Sequence, residues 1–172
     1  MKLSTRSAMR IALASALAGS LFLGAADDAA VPYPKEYRSW TFLHSSIYGA
    51  KQGVWDRPCE KPCTSGIFNF YANDQGVQGL RTGTFADGAV IAEELLELHG
   101  KDDGSAKEGP RRMVGVMVKD SKRYETTGGW GFGKYDGVTL VDQLGAGQRM
   151  ACFQCHIPRK SRGYVFTEYR DR

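Results

Sequence analysis

Met113-Val114-Gly115-Val116-Met117-Val118 decides the fold class. Met113, Gly115 and Met117 alternate with Val114, Val116 and Val118, so an extended chain here is apolar on both faces, as in a strand buried on both sides. Ile67-Phe68-Asn69-Phe70-Tyr71 reads as a second strand, and Trp40 to Tyr48, rich in β-branched and aromatic residues, as a third. Ala89 to Leu98 fits two templates: Ala-Val-Ile favours a strand, Glu-Glu-Leu-Leu-Glu-Leu a helix. Asn73-Asp74-Gln75-Gly76 marks a turn or helix start, with one or two helical turns over Val77 to Arg81. Short helical pieces are expected within 138–156, and Tyr164-Val165-Phe166 reads as a last extended segment. Between these elements lie an extended Val31-Pro32-Tyr33-Pro34, a loop over 49–66 and a mobile polar loop over Gly100 to Pro110. Gly128-Gly129-Trp130-Gly131-Phe132-Gly133 reads as a place where backbone approaches a flat ligand, or as a bulge. The whole is one mainly β (α+β) domain with short helices.

The first 26 residues are expected to stand apart from that domain. Lys2, Arg6 and Arg10 precede an uncharged apolar run, Ile11 to Gly24, and Gly24-Ala25-Ala26 is a cleavage-like site. This is the pattern of a secretory signal peptide over 1–26, leaving a single domain over 27–172. The run is shorter than the ~20 residues of a spanning helix, and no other segment is expected to cross a membrane. Removing the leader lowers the formal charge from +4 to +1, so the basic balance implies no nucleic-acid partner.

Cys152-Phe153-Gln154-Cys155-His156 carries the chemistry. Cys-x-x-Cys-His is the pattern of c-type haem attachment. Cys152 and Cys155 each form a thioether to one porphyrin edge, and His156 supplies the proximal ligand to iron. A thioredoxin-like redox pair, a disulfide or a thiolate metal site compete with this reading. Export favours the haem, because in bacteria c-type haem is attached outside the cytoplasm. One motif implies one haem. Cys59 and Cys63, in Cys-Glu-Lys-Pro-Cys, are expected to close a small disulfide loop, with a zinc site the weaker alternative. The sixth iron position separates electron transfer from ligand binding. Met113, Met117, Met150, His44 and His99 are the candidates for it; core packing better explains Met113 and Met117, Met150 lies too close to the attachment site, and His99 adjoins a polar loop.

Several segments, taken in order, are similar to one known family. Tyr-Ala-Asn-Asp, Thr82 to Gly88, Val118 to Tyr124, Gly-Gly-Trp-Gly-Phe, Cys-Phe-Gln-Cys-His and Tyr-Val-Phe-Thr resemble the cytochrome P-460 family, which includes cytochrome c′-beta. The resemblance runs from about Pro34 to Arg170. It implies an antiparallel sheet with short helices rather than a four-helix bundle, a homodimer, and one covalently bound haem c whose five-coordinate iron is held by His156. Hydroxylamine-oxidising members carry a lysine cross-linked to the haem. Glu93 falls at that position, and Ala89 to His99 contains no lysine. Phe68 falls near a distal arginine of the enzyme. These departures bring the chain closer to the c′-beta type, which binds nitric oxide beside phenylalanines. Phe68 is the distal candidate, and Phe85 a weaker one better explained by packing. Glu93 and Glu94 stay unassigned as acid–base groups. The expected function is therefore a periplasmic mono-haem cytochrome that binds small ligands, with a redox partner protein possible. The alternatives are a hydroxylamine- or nitric oxide-oxidising enzyme and a six-coordinate electron carrier.

Overall fold

The computed structural model describes residues 30–48, 66–100 and 105–170. Five strands form one antiparallel sheet in chain order: β1 (Thr41–Tyr48), β2 (Gly66–Ala72), β3 (Val90–Gly100), β4 (Ala106–Lys119) and β5 (Trp130–Asp136). Two helices accompany it, α1 (Asp74–Thr82) after β2 and α2 (Ala146–His156) after β5. The strands follow the alternation expected of them. Val114 and Val116 are fully buried on one face of β4, and Met117 packs on the other.

Register fixes which side chains share a face. Phe70 pairs with Glu93, Glu93 with Gly115 and Gly115 with Lys134; in the next row Ile91 pairs with Met117 and Met117 with Phe132. This face is covered by α1, α2 and the C-terminal segment, through a core that includes Phe85, Trp130, Phe132 and Val165. The opposite face packs Ala92, Val114, Val116 and Tyr135 against Val31 and Tyr37 of the leading segment.

The ambiguity over Ala89 to Leu98 resolves as strand, because β2 and β4 flank it on both sides and both its faces are buried. The loop expected over Gly100 to Pro110 is corrected. Ala106 to Pro110 begins β4, with His99 paired to Lys107 and Leu98 to Glu108. Register shifts at Leu96 absorb extra residues on β4, which lets Gly109 and Pro110 sit in a strand. A second correction concerns Tyr164 to Phe166, which join no strand. Gly163 and Tyr164 both take left-handed backbone, φ 63° and 67°, so the chain turns there. The helical pieces within 138–156 are one helix, α2.

The glycine-aromatic stretch serves packing. A Cβ on Gly131 would lie 2.3 Å from Tyr124 Cζ, so the missing side chain makes room for the Tyr124 ring inside the protein. Asn73 organises the start of α1. Its Oδ1 accepts from the backbone N–H of Gly76 and of Val90, each at 2.9 Å, and its Nδ2 donates to Gly88 O at 2.8 Å.

Candidate functional site

The site grows out of α2. This helix is tied to β5 by Arg149, a buried side chain that donates to Phe132 O at 2.6 Å and to Leu144 O and Asp142 Oδ2, each at 2.8 Å. The N-terminal end is closed by the Gln148 side chain, which accepts from Gly145 N–H at 2.6 Å. Cys152 and Phe153 then face the core, while Cys155 is exposed. Both thiols are free, and their i, i+3 spacing on a helix puts them on one side. Burial pushes the Cys152 thiol up, with Cys155 adding to the effect and Lys134 and Arg149 opposing it.

His156 ends the helix. Its Nδ1 lies 2.7 Å from Tyr164 O. A carbonyl only accepts, so Nδ1 carries the hydrogen and Nε2 of the neutral ring keeps its lone pair. The left-handed turn at Gly163 and Tyr164, held by Tyr164 N–H to Arg159 O at 2.8 Å, aims that carbonyl at the ring. Burial lowers the imidazole pKa, opposed by the Tyr164 carbonyl, and so favours the neutral ring that binds a metal. Phe132 and Phe166 confine the ring, at centroid distances of 5.2 and 4.8 Å. Two free thiols on one helical side, followed by an oriented neutral imidazole, fit a haem by the chemistry of their donors.

The chain matches the family model Cytochrome P460 over residues 34–167. The chain belongs to the cytochrome P460 family. Comparison with curated proteins finds no match. Membership makes this a haem-binding cytochrome, and the sheet fold agrees with what the resemblance implied.

In this P460 fold the other candidates separate by face. Phe68, Phe70 and Glu93 lie on the α2-covered side of the sheet, the side that carries Phe132 and hence His156. Phe68 is buried. Glu93 is half-buried between Phe70 and Gly115 in the pairing row, and burial raises its carboxyl to about 7. Glu94 points the other way. It accepts from Tyr37 Oη at 2.6 Å, from Arg38 Nε at 3.0 Å and from Arg38 Nη2, while Arg111 Nη1 stands 3.9 Å off. That makes Glu94 a structural anion, and burial with this carboxylate beside it pushes Tyr37 up to about 12. Phe85 is core: it meets Trp130 edge-on at 5.1 Å and fills the gaps left by Gly79 and Gly163.

Among the sixth-ligand candidates, His44 Nε2 bonds Thr167 Oγ1 at 2.8 Å and His99 Nε2 bonds Glu97 Oε2 at 2.8 Å. Met117 packs into the core, and Met150 is exposed on the helix that carries His156. Cys59 and Cys63 lie outside the described residues. Sequence reading missed Tyr164 O, Phe132, Phe166 and the Arg149 anchor. The Tyr-Val-Phe-Thr segment was the one signal for two of them, and nothing in it announced a carbonyl aimed at His156.

Proposed function

We propose that this is an exported, periplasmic mono-haem c-type cytochrome of the c′-beta kind. Cys152 and Cys155 attach one haem, His156 Nε2 holds a five-coordinate iron, and the open side binds small ligands such as nitric oxide, with electron transfer as a companion role in a homodimer. The observation that supports the reading is the Nδ1–H to Tyr164 O bond, which leaves the Nε2 lone pair available to a metal one residue after the second thiol. The haem supplies iron chemistry; the chain orients the imidazole and encloses it with Phe132 and Phe166. On the distal side, buried Phe68 and the lack of lysine across Ala89 to His99 support binding of a neutral diatomic without a cross-link.

Ultraviolet–visible spectra of the purified ferric and ferrous protein, with and without nitric oxide, test this. High-spin bands that shift on adding nitric oxide are expected. A low-spin ferrous spectrum indifferent to the ligand would refute it in favour of a six-coordinate carrier. Cys152→Ala with Cys155→Ala should abolish covalent haem.

One observation favours a second reading, oxidation of hydroxylamine or nitric oxide. Glu93, a carboxyl titrating near neutrality on the His156 side of the sheet, has the basicity of a proton acceptor for a nitrogenous substrate. Steady hydroxylamine turnover that Glu93→Gln abolishes, with haem content unchanged, would establish that reading.

A further inference from the structure

The chain's charge is unevenly placed. Residues 143–170 hold five basic residues and one acidic one, Glu168, a surplus of +4 that equals the formal charge of the whole chain. Once the 1–26 leader is removed, the rest of the chain carries −3. The surplus therefore sits on the segment that carries Cys152, Cys155 and His156. Arg149 is internal and paired to Asp142, and Arg162 pairs with Glu168 at 2.9 Å. Arg159 and Lys160 are exposed beside His156, in the 3-10 turn Ile157–Arg162 that continues α2.

Arg159 is held in place. Its guanidinium stacks over Phe166 at 4.9 Å, and Phe166 meets the His156 ring edge-on at 4.8 Å. Lys134, exposed on β5, is close enough to act electrostatically on the Cys152 thiol. Exposed apolar side chains belong to the same stretch of chain: Ile157 is 46 % exposed, Phe166 43 % and Met150 38 %. Cys155 opens to solvent in the same region, whereas Cys152 is packed inward. Exposed apolar side chains beside exposed cations suit a transient protein interface.

We propose that this face is the docking surface for an acidic electron-transfer protein, which exchanges electrons at the Cys155 edge of the haem within a collar formed by Arg159, Lys160 and Lys134. The proposal rests on the haem attachment argued above. Its physical basis is the uneven charge of the mature chain, positive on this segment and negative over the rest, which steers an anionic partner to this face and speeds encounter by roughly 10- to 1,000-fold at low salt.

The test follows oxidation of the ferrous haem protein by stopped flow. Hexacyanoferrate(III), an anion, and tris(phenanthroline)cobalt(III), a cation, each take one electron from iron(II), giving iron(III) and the reduced complex. The anionic reagent should react faster at low salt and slow roughly tenfold as salt screens the surface, while the cationic reagent should not slow. Arg159→Glu with Lys160→Glu should slow the anion roughly tenfold at low salt and spare the cation; Lys35→Glu, an exposed cation of the leading segment, should change neither rate. Rates indifferent to these charges, or equal effects of Lys35→Glu and the double variant, overturn the docking surface. So does adsorption to phosphatidylglycerol-containing vesicles that the double variant abolishes without changing the hexacyanoferrate rate, which would make the pole a membrane contact. A protein lacking any haem band fails the attachment reading together with this one, whereas a haem band with charge-indifferent rates fails the surface alone.

Discussion

Replacing Arg149 by Met should loosen α2 from the sheet. The Arg149 side chain is 6 % exposed and that of its partner Asp142 20 %. Three acceptors depend on it: Phe132 O inside the sheet, Leu144 O before the helix and the Asp142 carboxylate. Hydrogen bonds to a charged group contribute about 1.5–3 kcal/mol each, but these three act together and are not additive. Methionine keeps most of the apolar stem, and Asp142 can be rehydrated in part. The loss should therefore fall near the lower end of the range for breaking a buried pair, about 3 kcal/mol. For a domain of this size that is a fall of roughly 10 °C in Tm. Urea denaturation followed by far-ultraviolet circular dichroism measures it. Asp142→Asn alone should cost less, and the double variant should be less destabilised than the two losses added, by about 1 kcal/mol or more. A single-variant loss below about 1 kcal/mol, or strict additivity, would show that Arg149 does not hold α2 to β5.

Glu93 makes stability depend on pH with a definite sign. Its carboxyl is raised from 4.5 to about 7 by burial, so between those values the folded protein keeps a proton that the unfolded chain releases. Stability should fall as pH rises through that window, by at most about 3 kcal/mol. Glu93→Gln should flatten this part of a urea-midpoint profile, and parallel profiles for parent and variant would contradict the burial. Two glycines separate strain from crowding. Gly83, at φ 77° with nothing within 4 Å of an added Cβ, should lose only about 1 kcal/mol as Ala, from left-handed backbone alone. Gly131→Ala, which drives a Cβ to 2.3 Å from the Tyr124 ring inside the protein, should lose about 3 kcal/mol in the same denaturation assay; equal losses would mean that the ring moves freely.

The strands were legible because their alternation is local. Met113 to Val118 is apolar on both faces whatever surrounds it, and the layers packed on either side of the sheet cover both. The haem motif was legible for the same reason, since two thiols and an imidazole within five residues are a chemical pattern before they are a shape. Ala89 to Leu98 was not decidable locally, because its helical and extended patterns are both satisfied until β2 and β4 pair with it. The polar look of Ala106 to Pro110 misled for a related reason: pairing with β3 and a bulge at Leu96 override composition. Glu93 and Glu94 are adjacent and chemically alike. Strand alternation alone puts them on opposite faces, so that one faces arginines and a tyrosine while the other shares the His156 side of the sheet. The sequence by itself determined the strand-rich class, the Cys-x-x-Cys-His pattern and the surplus of charge around it. Only the tertiary structure decided that Tyr164 turns left-handed to fix the His156 tautomer, because that carbonyl comes from a turn eight residues on and its direction depends on how the turn packs.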